Sequence, residues 1–236
     1  PFAVCTIEVA SCSGNGSLGF EFSNAEKTEQ FFITISYHGK RIQDVNQKYV
    51  KESKTIVNGS ISSKDRGSTK SEGKIMLQML GSGFTLFVQN SGLPIPVAQS
   101  DFAQIVDLRK KEYMYSFQSN FYFSIQKGAF AIRKIESALS PGMGLADIRA
   151  ITYEDGELLL DQGRLWYTMS IRGRALPHHI QGVFSLNPTV FDLQFEGIIL
   201  FDRQDGLLRN EVASHIFYDR KEKSWRGLTT GFSAYA

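Results

Sequence analysis

Two short segments carry the residue types that acid–base chemistry uses. "LADIRAI" (145–151) holds Asp147 and Arg149. "RNEVASHI" (209–216) holds Arg209, Asn210, Glu211, Ser214 and His215. Hydrolysis of a glycosidic bond needs one carboxyl group to protonate the leaving oxygen and a second to activate water or attack carbon. Asp147 is the candidate base, Glu211 the candidate second carboxyl, and His215 a group that orients a carboxylate or binds a sugar hydroxyl. Arg149 and Arg209 suit the carboxylate of a uronic acid, because a guanidinium makes paired, planar hydrogen bonds. Trp166 and Trp225 offer stacking faces for sugar rings. Each residue also has a structural reading. Asp147 fits the cap of a turn, Glu211 a solvated loop, His215 the margin of a core, and the two mid-strand tryptophans the core itself.

The elements that would position these residues are strands. "IRAITYED" (148–155), "RLWYTMSIR" (164–172), "IQGVFSL" (180–186) and "FDLQFEGIILF" (191–201) alternate apolar and polar residues and are separated by turn signals. They read as four successive antiparallel strands. A second unit then starts. "SHIFYD" (214–219) matches "AITYED" (150–155), and "WRGLTTGFS" (225–233) matches "WYTMSIRGR" (166–174), most clearly at the leading Trp. Four-stranded repeats of this kind mark β-propeller blades, which bury their apolar faces on one another, so a propeller needs at least about four to close. Blade one is expected over 147–202 and the start of blade two over 209–236. The chain is therefore expected to be a piece of a longer protein, whose remaining blades would complete the ring.

The segment "ADIRAITYEDGELLLDQGRLWYTMS" resembles the opening blade of the five-bladed propeller glycoside hydrolases, the group of families 32, 43 and 68 and the related mannoside phosphorylases. "ASHIFYDRKEKSWRGLTTG" is similar to a later motif of the same group. The resemblance covers about residues 145–236. It places Asp147 on the Asp that heads the family's first inner strand. Ile148 stands where the family has Pro, and His215 where it has a second acidic residue. The family's general acid lies further along the chain than this sequence reaches.

The first half alternates in the same way. "FFITISYHG" (31–39), "KIMLQMLGSGFTLFVQN" (74–90) and "SNFYFSIQKGAFAIRKI" (119–135) read as half-buried antiparallel strands, with "GSG" (81–83) as a hairpin turn. Residues 53–74 are polar and rich in Ser, Lys and Gly, and fit an exposed loop or edge strands. "PVAQSDFAQIVDLRKKEY" has room for one short helix. An all-β fold follows: a β-sandwich of jelly-roll or concanavalin-like type over 1–137, a Ser/Pro/Gly-rich linker at 138–144, and a partial propeller over 145–236.

Composition narrows the function classes. The chain has 236 residues, is 42% hydrophobic and carries a net charge of +2, which gives no footprint for nucleic acid. Residues 1–140 hold 16 basic and 12 acidic residues, while 141–236 hold 10 and 12. No run of apolar residues reaches the roughly 18–20 that a membrane span needs. Cys5 and Cys12 make neither a disulfide scaffold nor a zinc site, and on one straight strand their odd spacing places them on opposite faces. The adjacent His178 and His179 lack nearby carboxylates for a metal, and no cofactor is called for. The glycines of "CSGNGSLGF" lack the strand-to-helix setting of a phosphate loop. The expectation is a secreted or periplasmic carbohydrate-active protein that acts on a plant or microbial polysaccharide or oligosaccharide as a glycoside hydrolase. The alternative is a non-catalytic glycan-binding protein on the same scaffold. A third reading is a two-layer β protein that binds another protein.

Overall fold

The computed structural model describes residues 2–61, 69–80, 83–107, 110–142, 144–172, 179–207, 209 and 211–230. The turn expected at Gly81–Ser82, part of the polar stretch (62–68), His178 and Asn210 lie outside them. The fold is all-β, with one five-residue helix among the described residues. The chain forms two compact units, Pro1–Ala138 and Leu139–Ala236.

The first unit contains β1 (Phe2–Asn24), β2 (Glu29–His38), β3 (Arg41–Lys51), β4 (Lys54–Ser60), β5 (Gly73–Leu80), β6 (Gly83–Gln89), β7 (Ile95–Asp101), helix α1 (Lys111–Tyr115) and β8 (Phe117–Leu139). Its strands join in one antiparallel sheet of order β4-β3-β2-β1-β5-β6-β7, with β8 also on β1, curled into a half-barrel. Period-two alternation is the same for a curled sheet and for two stacked sheets, so the sequence pattern does not separate them. The edge strand β4 occupies the start of the polar stretch (53–74).

Alternation selects the core. On β2, Phe31, Ile33, Ile35 and Tyr37 are buried at every second position, and they meet Ile7, Leu18, Ile75, Leu77 and Leu86 in one cluster. The long strand β1 changes neighbour partway. Its first part pairs with β5, ending at Val9 with Gly73, and its second part pairs with β2, starting at Asn15 with His38. The buried side chains shift phase in between, from Cys5, Ile7 and Val9 to Cys12, Leu18 and Phe20. That break brings both cysteines to the same core as free thiols, against the opposite faces expected of a straight strand. Burial pushes both thiols up, with Ser71 and Tyr37 partly offsetting this at Cys12.

At the break β1 crosses β8 at a glycine pair. A Cβ on Gly14 (φ 76°) would lie 1.8 Å from the Lys127 carbonyl oxygen, and one on Gly128 (φ 95°) would lie 2.2 Å from that of Ser13. Both left-handed φ values and the close backbone approach require glycine.

The second unit contains β9 (Gly144–Ala150), β10 (Thr152–Tyr153), β11 (Leu160–Asp161), β12 (Arg164–Arg172), β13 (Ile180–Asn187), β14 (Asp192–Ile199), β15 (Val212–Asp219) and β16 (Ser224–Thr230). Strands β9, β12, β13 and β14 form an antiparallel succession, with β11 pairing the start of β12. A second sheet has the order β10-β15-β16. Within it β15 and β16 form an antiparallel hairpin, while β10 lies parallel to β15.

Candidate functional site at the strand starts of the second unit

Asp147 sits in a bulge of β9. Ala146 faces Ser170 and Arg149 faces Thr168 on β12, so Asp147 and Ile148 together oppose Met169. Asp147 has φ 52°, a left-handed conformation that Asp tolerates better than most residues. The hairpin β15–β16 repeats the device. Val212 faces Thr230 and His215 faces Leu228, which leaves Ala213 and Ser214 opposite Thr229. Ala213 has φ 56°. By bulge position the counterpart of Asp147 is thus Ala213. Glu211, which the sequence match sets against Asp147, lies two residues earlier.

The two bulged strands run side by side. The parallel pairing of Thr152 with Phe217 and Tyr153 with Tyr218 is an offset of 65 residues. That ladder covers these two pairs only; β9, which precedes β10 in the chain, packs on β15. Asp147 and Arg149 lie upstream of β10, and Glu211 and His215 upstream of the paired part of β15, so both sets fall on the same side of that parallel pairing. The turns at the far ends are tied by Arg220, which pairs with Glu154, Asp155 and Glu157 and lies 4.4 Å from the Tyr153 ring. The Glu157 N–H and the Arg220 guanidinium hold Asp155 below the usual carboxylate range.

The individual side chains differ in availability. Asp147 is exposed, with Arg172 3.7 Å away. Arg149 is exposed and has no ion-pair partner among the described residues. Glu211, expected as a solvated loop residue, is only 4% exposed, and its Oε1 faces the Arg203 guanidinium. A carboxylate is tolerated in that interior because the guanidinium compensates its charge. His215 is exposed, its ring 6.3 Å from that of Phe217. Arg209 is committed to Asp205, whose carboxyl it holds below the ordinary range together with the Leu207 N–H. Trp166 is half-buried on β12. Trp225 is 57% exposed, its ring 5.1 Å from that of Tyr218. It is therefore a surface residue of β16, not part of a core.

A buried polar set supports the second bulge. Thr168, Ser170 and Gln181 are fully buried. The Thr168 hydroxyl donates to the Ser214 carbonyl at 2.6 Å. The Ser214 N–H donates to Gln181 Oε1 at 2.9 Å, and the Ala213 N–H to Ser170 Oγ at 3.3 Å. A bulge loses ladder partners, and buried backbone groups left unpaired are costly. These three side chains supply the missing partners. They, like Arg172 and Arg203, are not among the residues that type and spacing alone pick out as candidates. The available signal was Thr168 and Ser170 alternating with apolar residues in a strand buried on both faces.

No group of three or more metal-ligating residues is assembled among the described residues. No helix among them is long and apolar enough to cross a membrane. No protein-family model matches the chain, and neither a curated protein nor a solved structure matches it significantly.

Proposed function

We propose that the chain is part of a secreted or periplasmic glycoside hydrolase of the five-bladed propeller type. The observation that carries this reading is the packing of β9 on β15 beside the parallel β10–β15 pairing, with Asp147 and Glu211 both upstream of that pairing and a left-handed bulge in each of β9 and β15. In a propeller the first strands of successive blades line the central channel, and residues at their starts face it. On this reading β9, β12, β13 and β14 are blade one, and β15 and β16 open blade two. The exposed apolar side chains of β16, Trp225 and Leu228, are then what neighbouring blades would cover. Further blades close the ring. The first unit takes the place of the β-sandwich that accompanies such propellers. The substrate is a plant or microbial polysaccharide or oligosaccharide. Asp147 serves as base, and Arg149 is available for a uronic acid carboxylate.

The test uses the full-length gene product and release of reducing ends from a polysaccharide panel. Asp147→Asn should lower the rate about 10²–10⁴-fold without loss of folding. A rate unchanged by that substitution would sink the assignment. A second reading, a non-catalytic glycan-binding protein, is favoured by the clasp of Glu211 by Arg203 and by His215 at the second acid position. It predicts sugar binding without turnover.

A further inference from the structure

We infer that Thr168, Ser170 and Gln181 are positioning residues, which hold the Ala213–Ser214 bulge from the neighbouring sheet and so fix where Glu211 and His215 stand beside Asp147 and Arg149. The inference rests on the reading of the strand starts as a carbohydrate site.

Three observations converge on it. First, the contacts are all to backbone. Two N–H groups and one carbonyl of the bulge each meet a different side chain, at 3.3, 2.9 and 2.6 Å. Second, the three side chains come from two adjacent strands at one level. Ser170 on β12 faces Gln181 on β13, and Thr168 is the next residue on the same face of β12. Third, the hold is doubled from the far side of the bulge. The Ser214 hydroxyl donates to Thr229 Oγ1 at 2.9 Å, and the Thr229 hydroxyl donates to the Val212 carbonyl at 3.3 Å.

The geometry explains why a strained alanine persists. A left-handed alanine costs roughly 1–2 kcal/mol, and such conformations survive only where the surroundings over-determine them. Here four hydrogen bonds hold Ala213 and Ser214, and a fifth holds Val212 beside them. His215 follows the bulge directly and Glu211 precedes it by two residues, so the direction of both side chains depends on how the bulge is held. A displacement of about 1 Å in a reacting group can change a rate on the order of 10²-fold.

The experiment compares Gln181→Leu with the isosteric Gln181→Glu, and with Ser170→Ala, in the whole protein. Gln181→Leu leaves the Ser214 N–H without its acceptor. Gln181→Glu keeps an oxygen at that place and is read at about pH 5, where burial favours the protonated carboxyl. Ser170→Ala removes the longest of the three bonds and is the variant to rely on if Gln181→Leu fails to fold. The readouts are Ser214 amide exchange, the His215 Cε1–H resonance at fixed pH, and the dissociation constants of xylotetraose and its glucuronic acid-substituted counterpart. The expected result for Gln181→Leu is exchange at Ser214 faster by about tenfold or more, a moved His215 resonance and sugar binding weaker by about tenfold or more. Gln181→Glu should restore all three. A lowered melting temperature with the His215 resonance unmoved would show a purely structural role and overturn the inference. If the wild-type protein binds neither sugar, the carbohydrate reading fails, while the exchange and His215 readouts still decide the positioning.

Discussion

Glu29 in the first unit shows how one half-buried carboxylate can tie three elements together. Its Oε2 accepts the hydroxyls of Tyr49 on β3, at 3.1 Å, and of Tyr113 on α1, and its Oε1 lies 3.2 Å from the Lys51 ammonium. Burial alone would raise the Glu29 carboxyl, but Tyr113, Lys51 and Tyr49 outweigh it and hold the group below its ordinary range. Burial and the carboxylate both push the Tyr113 hydroxyl up, so it stays a donor. The rings add packing, with Phe31 stacked on Tyr49 at 4.3 Å and Tyr113 near Phe117 at 4.9 Å. Hydrogen bonds to a charged group contribute about 1.5–3 kcal/mol, so Tyr113→Phe should lower the unfolding free energy by that order in urea titrations at pH 7. The pH dependence follows from the depressed carboxyl. Its contribution is fully present above the unfolded value of about 4.3 and is lost as pH falls through the lower folded value. The gap in stability between the wild type and Glu29→Gln should therefore be constant above about pH 5 and shrink below about pH 4. A gap that grows on acidification would contradict the assignment.

At the scale of elements, the glycine crossing of β1 and β8 makes a sharper claim. Gly14→Ala forces a Cβ to within 1.8 Å of a backbone oxygen at a left-handed φ. It should destabilise by more than about 2 kcal/mol in thermal or denaturant unfolding. Gly59→Ala on the edge strand β4 is the matched control. Nothing lies within 4 Å of its Cβ, and the change should stay within about 0.5 kcal/mol. Equal losses at the two sites would remove the close approach as a cause. The same crossing marks the limit of what sequence shows. Strands such as β2 and β12 are legible because alternation follows from the pleat itself. "CSGNGSLGF" reads only as a glycine-rich stretch, because its meaning lies in a backbone more than a hundred residues away in the chain. The bulges at Asp147 and Ala213 are hidden for a related reason. Neither residue is glycine, so no local signal announces a left-handed φ. The polar residues that hold the Ala213 bulge become meaningful only once β12, β13 and β15 are placed together. Asp147, Arg149, Glu211 and His215 could be named beforehand, since residue type and position at a strand start suffice for that. Whether Glu211 is solvated or clasped by Arg203 depends on a loop residue that no pattern ties to it.

At the scale of the whole molecule, the two units differ in what their interiors are made of. The connected apolar core from Cys5 to Phe102, with its flanking partners out to Ile132, lies entirely within the first unit. Among the described residues of the second unit, Ile151, Met169, Ile171, Ile180, Phe184 and Val212 are the buried apolar residues, while Ser140, Thr168, Ser170, Gln181, Ser185, Glu211 and Ser214 are the buried polar ones. Apolar burial is the dominant favourable term in folding. A buried polar group with its partner yields only about 0.5–1.5 kcal/mol net. Large apolar side chains at the surface do not separate the units, since Leu93 in the first is 85% exposed and Phe191 in the second 80%. The polar interior of the second unit holds position and direction well and contributes little to stability. The expected consequence is unequal autonomy. Residues 1–138 expressed alone should unfold cooperatively in urea, with one transition seen by both fluorescence and circular dichroism. Residues 139–236 expressed alone should show no cooperative transition, and should gain one when further sequence completing the sheet of β16 is supplied. If 139–236 unfolds as cooperatively as 1–138, its polar interior suffices for a stable fold. The propeller reading then loses the argument that this unit needs neighbouring blades.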